Sequence, residues 1–195
     1  MTSSPADARL AELTRLIESA AAERPRPLEQ WQPSRLADIG LEITADGLWH
    51  YQDSPIRRPT LVRLFASILR READGKHYLV TPAEKVLVRV ADAPLLAVEL
   101  WAQGAGSALD LSFRTNLDDV VLAGPDQPFE FRPDPKTAAP RPYIHVRHGL
   151  LARATRSVYL EIVEHGSIET RGEDRQFGVW SRGAFFAMAS AEAVE

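Results

Sequence analysis

Between residues 85 and 132 the chain breaks into short runs: VLVRVAD, LLAVELWAQ, ALDLSFRT, DVVLAG and FEFR. Pro94, Gly104-Ala-Gly106, Asn116 and Gly124-Pro125 separate them. Within DLSFRTN the period is two, so Leu111 and Phe113 face one way and Ser112 and Arg114 the other. A period of two can bury its apolar residues only on one face of a sheet. Short strands at this spacing predict an antiparallel meander or a curled sheet.

The flanks read differently. Residues 6–23 predict a helix whose stripe is Leu10, Leu13, Ile17 and Ala20, stopped by Pro25 and Pro27. Such a stripe docks on the body of the protein or on a partner chain. Residues 24–38 read as a linker anchored by Trp31. Asp46-Gly47 marks a hairpin between LEIT and LWHY. A helix follows, with Pro59 in its first turn and Leu61, Leu64, Phe65, Ile68 and Leu69 on its buried face. Asp74-Gly75 turns the chain into the strand HYLVT. Past the proline-rich loop RPDPKTAAPRP (132–142), YIHVR predicts a strand. LLARATRSVYLEIVEHG predicts a helix with Gly166 as a left-handed cap. SIETRGEDRQ reads as a polar, mobile loop, and FGVWS and AFFAMA as strands.

Residues 48–69 and 143–164 both read strand, turn, helix, which suggests a duplication. Laid together without gaps, His50 meets His145, Arg58 meets Arg153 and Thr60 meets Thr155. On this reading the two arginines stand at equivalent helix entrances.

Composition narrows the chemistry. The 195 residues allow one large domain or two small ones. A net charge of −4 gives no general field for nucleic acid, so any anion site must be local. The absence of cysteine excludes disulfides, thiolate ligands and thiol nucleophiles. MTSSPADARL lacks a basic flank followed by an apolar run, and no apolar run is long enough to span a bilayer. A cytoplasmic bacterial-type protein with no membrane association is the expectation.

Arginine at a helix entrance adds a fixed fork to unpaired N–H groups and a positive dipole end, so Arg58 and Arg153 are candidates for phosphate or carboxylate. Pro59 removes one of the donors. The alternative is that both arginines point into water or pair with acids such as Asp53. His145 and His148, three apart on a strand end, fall on opposite faces and make a poor metal pair. Ser54, Ser112 and Ser181 lie in no nucleophile elbow, and no phosphate-loop, dinucleotide or zinc-protease motif occurs. No cofactor, metal or catalytic residue is expected. Trp49, Tyr143 and Trp180 either stack on a base, with Arg114, Arg147 and Arg153 at its phosphates, or fill two cores.

The ordered set SPIRRPTLVRLFASILRRE, YLVTPAEK, LSFRTN, PRPYIHVRHGL and GVWSRGAFF resembles the bacterial family called domain of unknown function 1285, over roughly residues 35–190. The resemblance implies a duplicated core of two α+β units, the second superficially like a pleckstrin-homology fold. It also implies a nucleotide-like ligand at the interface between the units and a role in signalling. The positions that carry over are Arg58, Thr81, Glu84, Lys85, Arg114, Asn116, Tyr143, Arg147, Arg153 and Ser181.

The expectation is therefore an α+β protein with an N-terminal helix (1–23), an α+β unit (24–83) and a strand-rich α+β unit (84–195). It would be a non-catalytic binding module for a small anionic, nucleotide-based ligand, with no bulk nucleic acid bound. The alternative is a protein-interaction or scaffold module whose docking element is the first helix.

Overall fold

Leu41 and Ile43 are fully buried and Glu42 between them is exposed, the mark of a strand with one wet face. The computed structural model describes residues 8–15, 28–135, 137–171 and 174–193. The chain divides into two units, Met1–Pro94 and Leu95–Glu195.

The first unit begins with helix α1, of which residues 8–15 are described, and Leu13 in it is fully buried. Ile17 and Ala20 of the expected stripe lie outside the described residues. A six-stranded sheet follows. Its strands are β1 (Leu36–Ile43), β2 (Trp49–Tyr51), β3 (Ser54–Pro55), β4 (Leu69–Arg71), β5 (His77–Val80) and β6 (Lys85–Val90), in the spatial order β3-β2-β1-β6-β5-β4. Asp46-Gly47 makes the expected hairpin, with Gly47 at φ +79°. Gly75, at φ +78°, closes the β4–β5 turn. Helix α2 (Pro59–Ala66) joins the two three-stranded halves. It buries Leu61 and Phe65, and the Phe65 ring lies 6.0 Å from that of Trp49. Leu69, expected on the helix, begins β4 instead.

The second unit repeats the topology. Strands β7 (Leu95–Gln103), β8 (Asp110–Thr115), β9 (Val120–Leu122), β10 (Phe129–Pro133), β11 (Pro140–Arg147) and β12 (Leu150–Ala154) lie in the order β10-β11-β12-β7-β8-β9. Read from the other edge, this is the same sequence of places as in the first sheet. Each sheet is two antiparallel meanders joined through one parallel pair, β1 with β6 and β12 with β7. Helix α3 (Arg156–Glu164) and a three-stranded sheet, β13 (Ser167–Arg171), β14 (Asp174–Ser181) and β15 (Ala184–Ser190), complete the unit. Phe129 anchors the second core, its ring 5.4 Å from Phe113 and 5.2 Å from Phe186.

The duplication is real, but its copies are not 48–69 and 143–164. Helix α2 sits between the meanders, whereas α3 follows the sixth strand, so the two helices are not equivalent. The ladders give the correspondence instead. Leu41, Glu42 and Ile43 pair with Val88, Arg89 and Val90, and the Ala91 N–H then bonds to the Ile43 carbonyl. Leu95, Leu96 and Ala97 pair with Ala152, Arg153 and Ala154, and the Thr155 N–H then bonds to the Ala97 carbonyl. Matched at that closing bond, Arg153 corresponds to Arg89 rather than to Arg58.

Further expectations are corrected. LLARA is strand β12, because it pairs on both sides, and the helix starts only after Thr155, whose Oγ1 accepts the Val158 N–H. Gly166 takes no left-handed φ. Its missing Cβ makes room for the Phe177 ring, which a Cβ there would meet at 2.2 Å. SIETR is a paired strand, with Ser167 opposite Gly178 and Arg171 opposite Asp174. The division between units falls after Pro94 rather than at 83/84, because β6 pairs with β1 and β5. No helix among the described residues is long and apolar enough to cross a membrane.

Candidate functional site

In the first unit the TPAEK stretch makes a tight turn between β5 and β6. Thr81 is buried; its Oγ1 donates to the Glu84 carbonyl (2.9 Å) and accepts the N–H groups of Ala83 and Glu84. The Glu84 carboxylate, 1% exposed, accepts two bonds from one Arg9 nitrogen of α1, at 2.8 and 2.7 Å. Lys85 donates to Glu72 (2.7 Å) and lies 4.7 Å from the centre of the Tyr78 ring. Burial opposes charge on Glu72, but the bonds from Lys85 and Arg70 outweigh it and hold the carboxyl below its usual range. Tyr78 is pushed up to about 12, by its bond to Asp74 and then by burial.

Arg58 is the exposed N-cap of α2, with no acid in the helix's first turn. Pro59 lacks an N–H, and those of Leu61 and Val62 both bond to the Arg58 carbonyl. That leaves Thr60 as the first-turn residue with an N–H to offer, so the phosphate nest is poorer than the dipole alone suggests.

In the second unit most of the expected positions hold the fold together. Ser181 is fully buried, accepts the Leu111 N–H (3.0 Å) and donates to the Ala123 carbonyl (2.7 Å). Asn116 is a turn residue: its Oδ1 accepts the Leu96 N–H, and its own N–H bonds to the Leu96 carbonyl. Arg114 spans Glu99 and Asp118, and its bond to Glu99 above all raises its pKa. Arg147 pairs with Asp119 at 2.9 Å.

Tyr143 and Arg153 are different, because the structure brings them side by side. They are cross-strand partners, and Glu130 completes the row. Partners in a ladder point to the same face. The next row is Arg132 opposite Arg141. The Arg132 guanidinium lies 4.6 Å over the Tyr143 ring and gives one bond, 2.7 Å long, to Glu130. Arg141 pairs with Asp134. Burial works against the Arg141 charge, but its bonds to Tyr143 and Asp134 prevail and raise its pKa. His145 reaches to 3.9 Å from Glu130. Arg132 and Arg141 thus contact one buried phenol, Arg153 shares its row, and Glu130 and Asp134 supply two carboxylates beside them. Arg132 and Arg141 were hidden in the sequence because RPDPKTAAPRP reads as a loop. Only the hairpin register places them beside Tyr143.

A cavity of about 620 Å³ lies between the β10–β11 hairpin tip, α3 and the last two strands, and Arg132 lines it from the side of the arginine cluster. Phe131, Tyr159, Val163, Phe177 and Met188 form its apolar walls, and no residue expected at the anion site lines it.

Two family models match the chain. Residues 26–93 match "Domain of unknown function (DUF1285), N-terminal domain", and residues 94–188 match "Protein of unknown function (DUF1285), C-terminal domain". A DUF1285 family protein from Silicibacter pomeroyi DSS-3 is similar in structure, with 42% identity and a TM-score of 0.83 over 92% of this chain and 97% of that one. A DUF1285 family protein from Shewanella baltica OS155 is 28% identical over 65% of this chain and 91% of that one, with a TM-score of 0.49. No curated protein matches. By both halves of its sequence and by its fold, this chain belongs to the DUF1285 family.

Proposed function

We propose that this chain is a non-catalytic binding module for a small anionic ligand, with nucleotides the first class to test and cytoplasmic signalling the setting. The observation that carries the reading is the cluster of Arg132, Arg141 and Arg153 around Tyr143 on one sheet face. A guanidinium has five donors, and Arg132 gives one bond to Glu130 while its side chain stays 42% exposed. A phosphate can take the remaining donors, and the outer plane of the same guanidinium offers a surface on which a base stacks. The buried Tyr143 ring fixes that plane from below.

A thermal-shift screen with nucleotides, pyrophosphate and inorganic phosphate at low salt tests the reading. A ligand that binds only the native state raises the melting temperature. The expected result is a shift for at least one phosphorylated ligand, lost in Arg132→Ala and Arg153→Ala and retained in Arg58→Ala. No shift with any of them sinks the anion site. A shift lost only in Arg58→Ala moves the site to the start of α2.

A further inference from the structure

Glu84 is the one fully buried carboxylate among the described residues. A buried charge needs a partner with good geometry. Its partner comes from 75 positions earlier in the chain, where Arg9 sets one nitrogen against both carboxylate oxygens and gives another to Glu12 (2.8 Å). Arg35 approaches to 3.4 Å, but its side chain is 68% exposed. The carboxylate does not wander: the Thr81 hydroxyl holds both the N–H and the carbonyl of Glu84. One helical turn beyond Arg9, Leu13 is fully buried, and it is the only buried residue in 8–15. The helix is therefore held, among the described residues, by one guanidinium and one leucine at i and i+4, on a single face.

The next fixed point is separate. Arg70 donates to the carbonyls of Leu28 (2.5 Å) and Trp31 (3.2 Å). Among the described residues the two attachments share no partner, so the loss of the Arg9–Glu84 contact leaves the bonds of Leu28 and Trp31 to Arg70 intact.

We infer that the Thr81–Glu84 turn is a receptor for a helix bearing arginine and leucine one turn apart, occupied in cis by the chain's own N-terminal helix and opened when a partner helix of the same chemistry displaces it. The chemistry is cation recognition by a positioned carboxylate, so this turn is not part of the anion site. A tethered helix competes through its high effective concentration, and the free partner must overcome that advantage.

The probe is a fluorescent peptide of residues 6–23, titrated against the full-length protein and read by anisotropy. Arg9→Ala in the protein should bind the peptide at least tenfold tighter than the wild type, because the cis helix no longer competes. Adding Glu84→Gln to that variant should remove the gain, and a peptide carrying Arg9→Ala should not bind. Leu13→Ala in the protein weakens the cis helix without stripping Glu84 of its partner, and should show the same ordering if Arg9→Ala does not fold. Equal binding by wild type and by the folded opened variants overturns the inference, as does binding that survives Glu84→Gln. With excess peptide, amide exchange of residues 8–15 in the wild type should accelerate; unchanged protection under saturation would contradict displacement.

Discussion

Replacing Ser181 by Ala separates a structural role from a binding one. The hydroxyl is wholly buried and serves two backbone groups, the Leu111 N–H and the Ala123 carbonyl. It thereby ties β14 to the start of β8 and to the end of β9. Alanine nearly matches serine in volume, so no cavity term of consequence arises. The cost is that of two buried polar groups each losing a partner, together about 2–4 kcal/mol, taking each near the low end of the usual penalty. For a chain of this size that corresponds to a fall in Tm of roughly 4–16 °C. Urea unfolding followed by tryptophan fluorescence, with calorimetry alongside, measures both quantities. The variant should bind the same ligands as the wild type under conditions where both are folded. An unchanged Tm combined with lost ligand binding would refute the reasoning and return Ser181 to the ligand site.

Two other substitutions test packing and charge. Gly178→Ala places a Cβ 2.3 Å from the Phe186 carbonyl oxygen and 2.7 Å from the Phe185 ring, so β14 and β15 must shift apart, and urea unfolding should show a loss of about 1–3 kcal/mol. Burial, reinforced by the charge of Arg71, pushes His77 down to about 4 from the ordinary 6.5. Between those values the unfolded chain binds more protons than the folded one, so stability falls as pH drops from 6.5 to 4. His77→Gln should flatten that limb in denaturation curves taken across this range, and identical wild-type and variant pH profiles would show that His77 does not contribute.

Much of the sheet architecture was legible because a period of two is a local signal. DLSFRT buries Leu111, Phe113 and Thr115 as its alternation predicts. Asp46-Gly47 and Asp74-Gly75 close hairpins for equally local reasons. LLARA escaped because it runs without a break into a helical pattern, and only its pairing with β11 and β7 makes it a strand. SIETR escaped because an edge strand of the small sheet can be polar. The repeat was legible as a repeat, but the matched arginines misled. Equivalence in a duplicated sheet is set by ladder position, which no ungapped alignment shows.

The site was less legible for the same physical reason. A charged side chain advertises its type in sequence but not its partner. Lys85 meets Glu72 thirteen positions away, Arg114 meets Glu99 fifteen away and Arg147 meets Asp119 twenty-eight away. Those pairings turn several expected ligand contacts into struts. Tyr143 and Arg153, both singled out in the sequence, are cross-strand partners, while Arg132 and Arg141, the next row on that face, lay in a stretch that composition assigns to a loop.

The central claim is that the arginines around Tyr143 receive an anion. Titration of isotope-labelled protein with the best ligand from the thermal screen, followed by NMR of the arginine Nε–H and tyrosine ring signals, tests it most directly. Saturable shifts are expected at Arg132, Arg141, Arg153 and Tyr143, with Arg58 unmoved. Shifts centred on Arg58, or no saturable shift at the Tyr143 cluster, would contradict it.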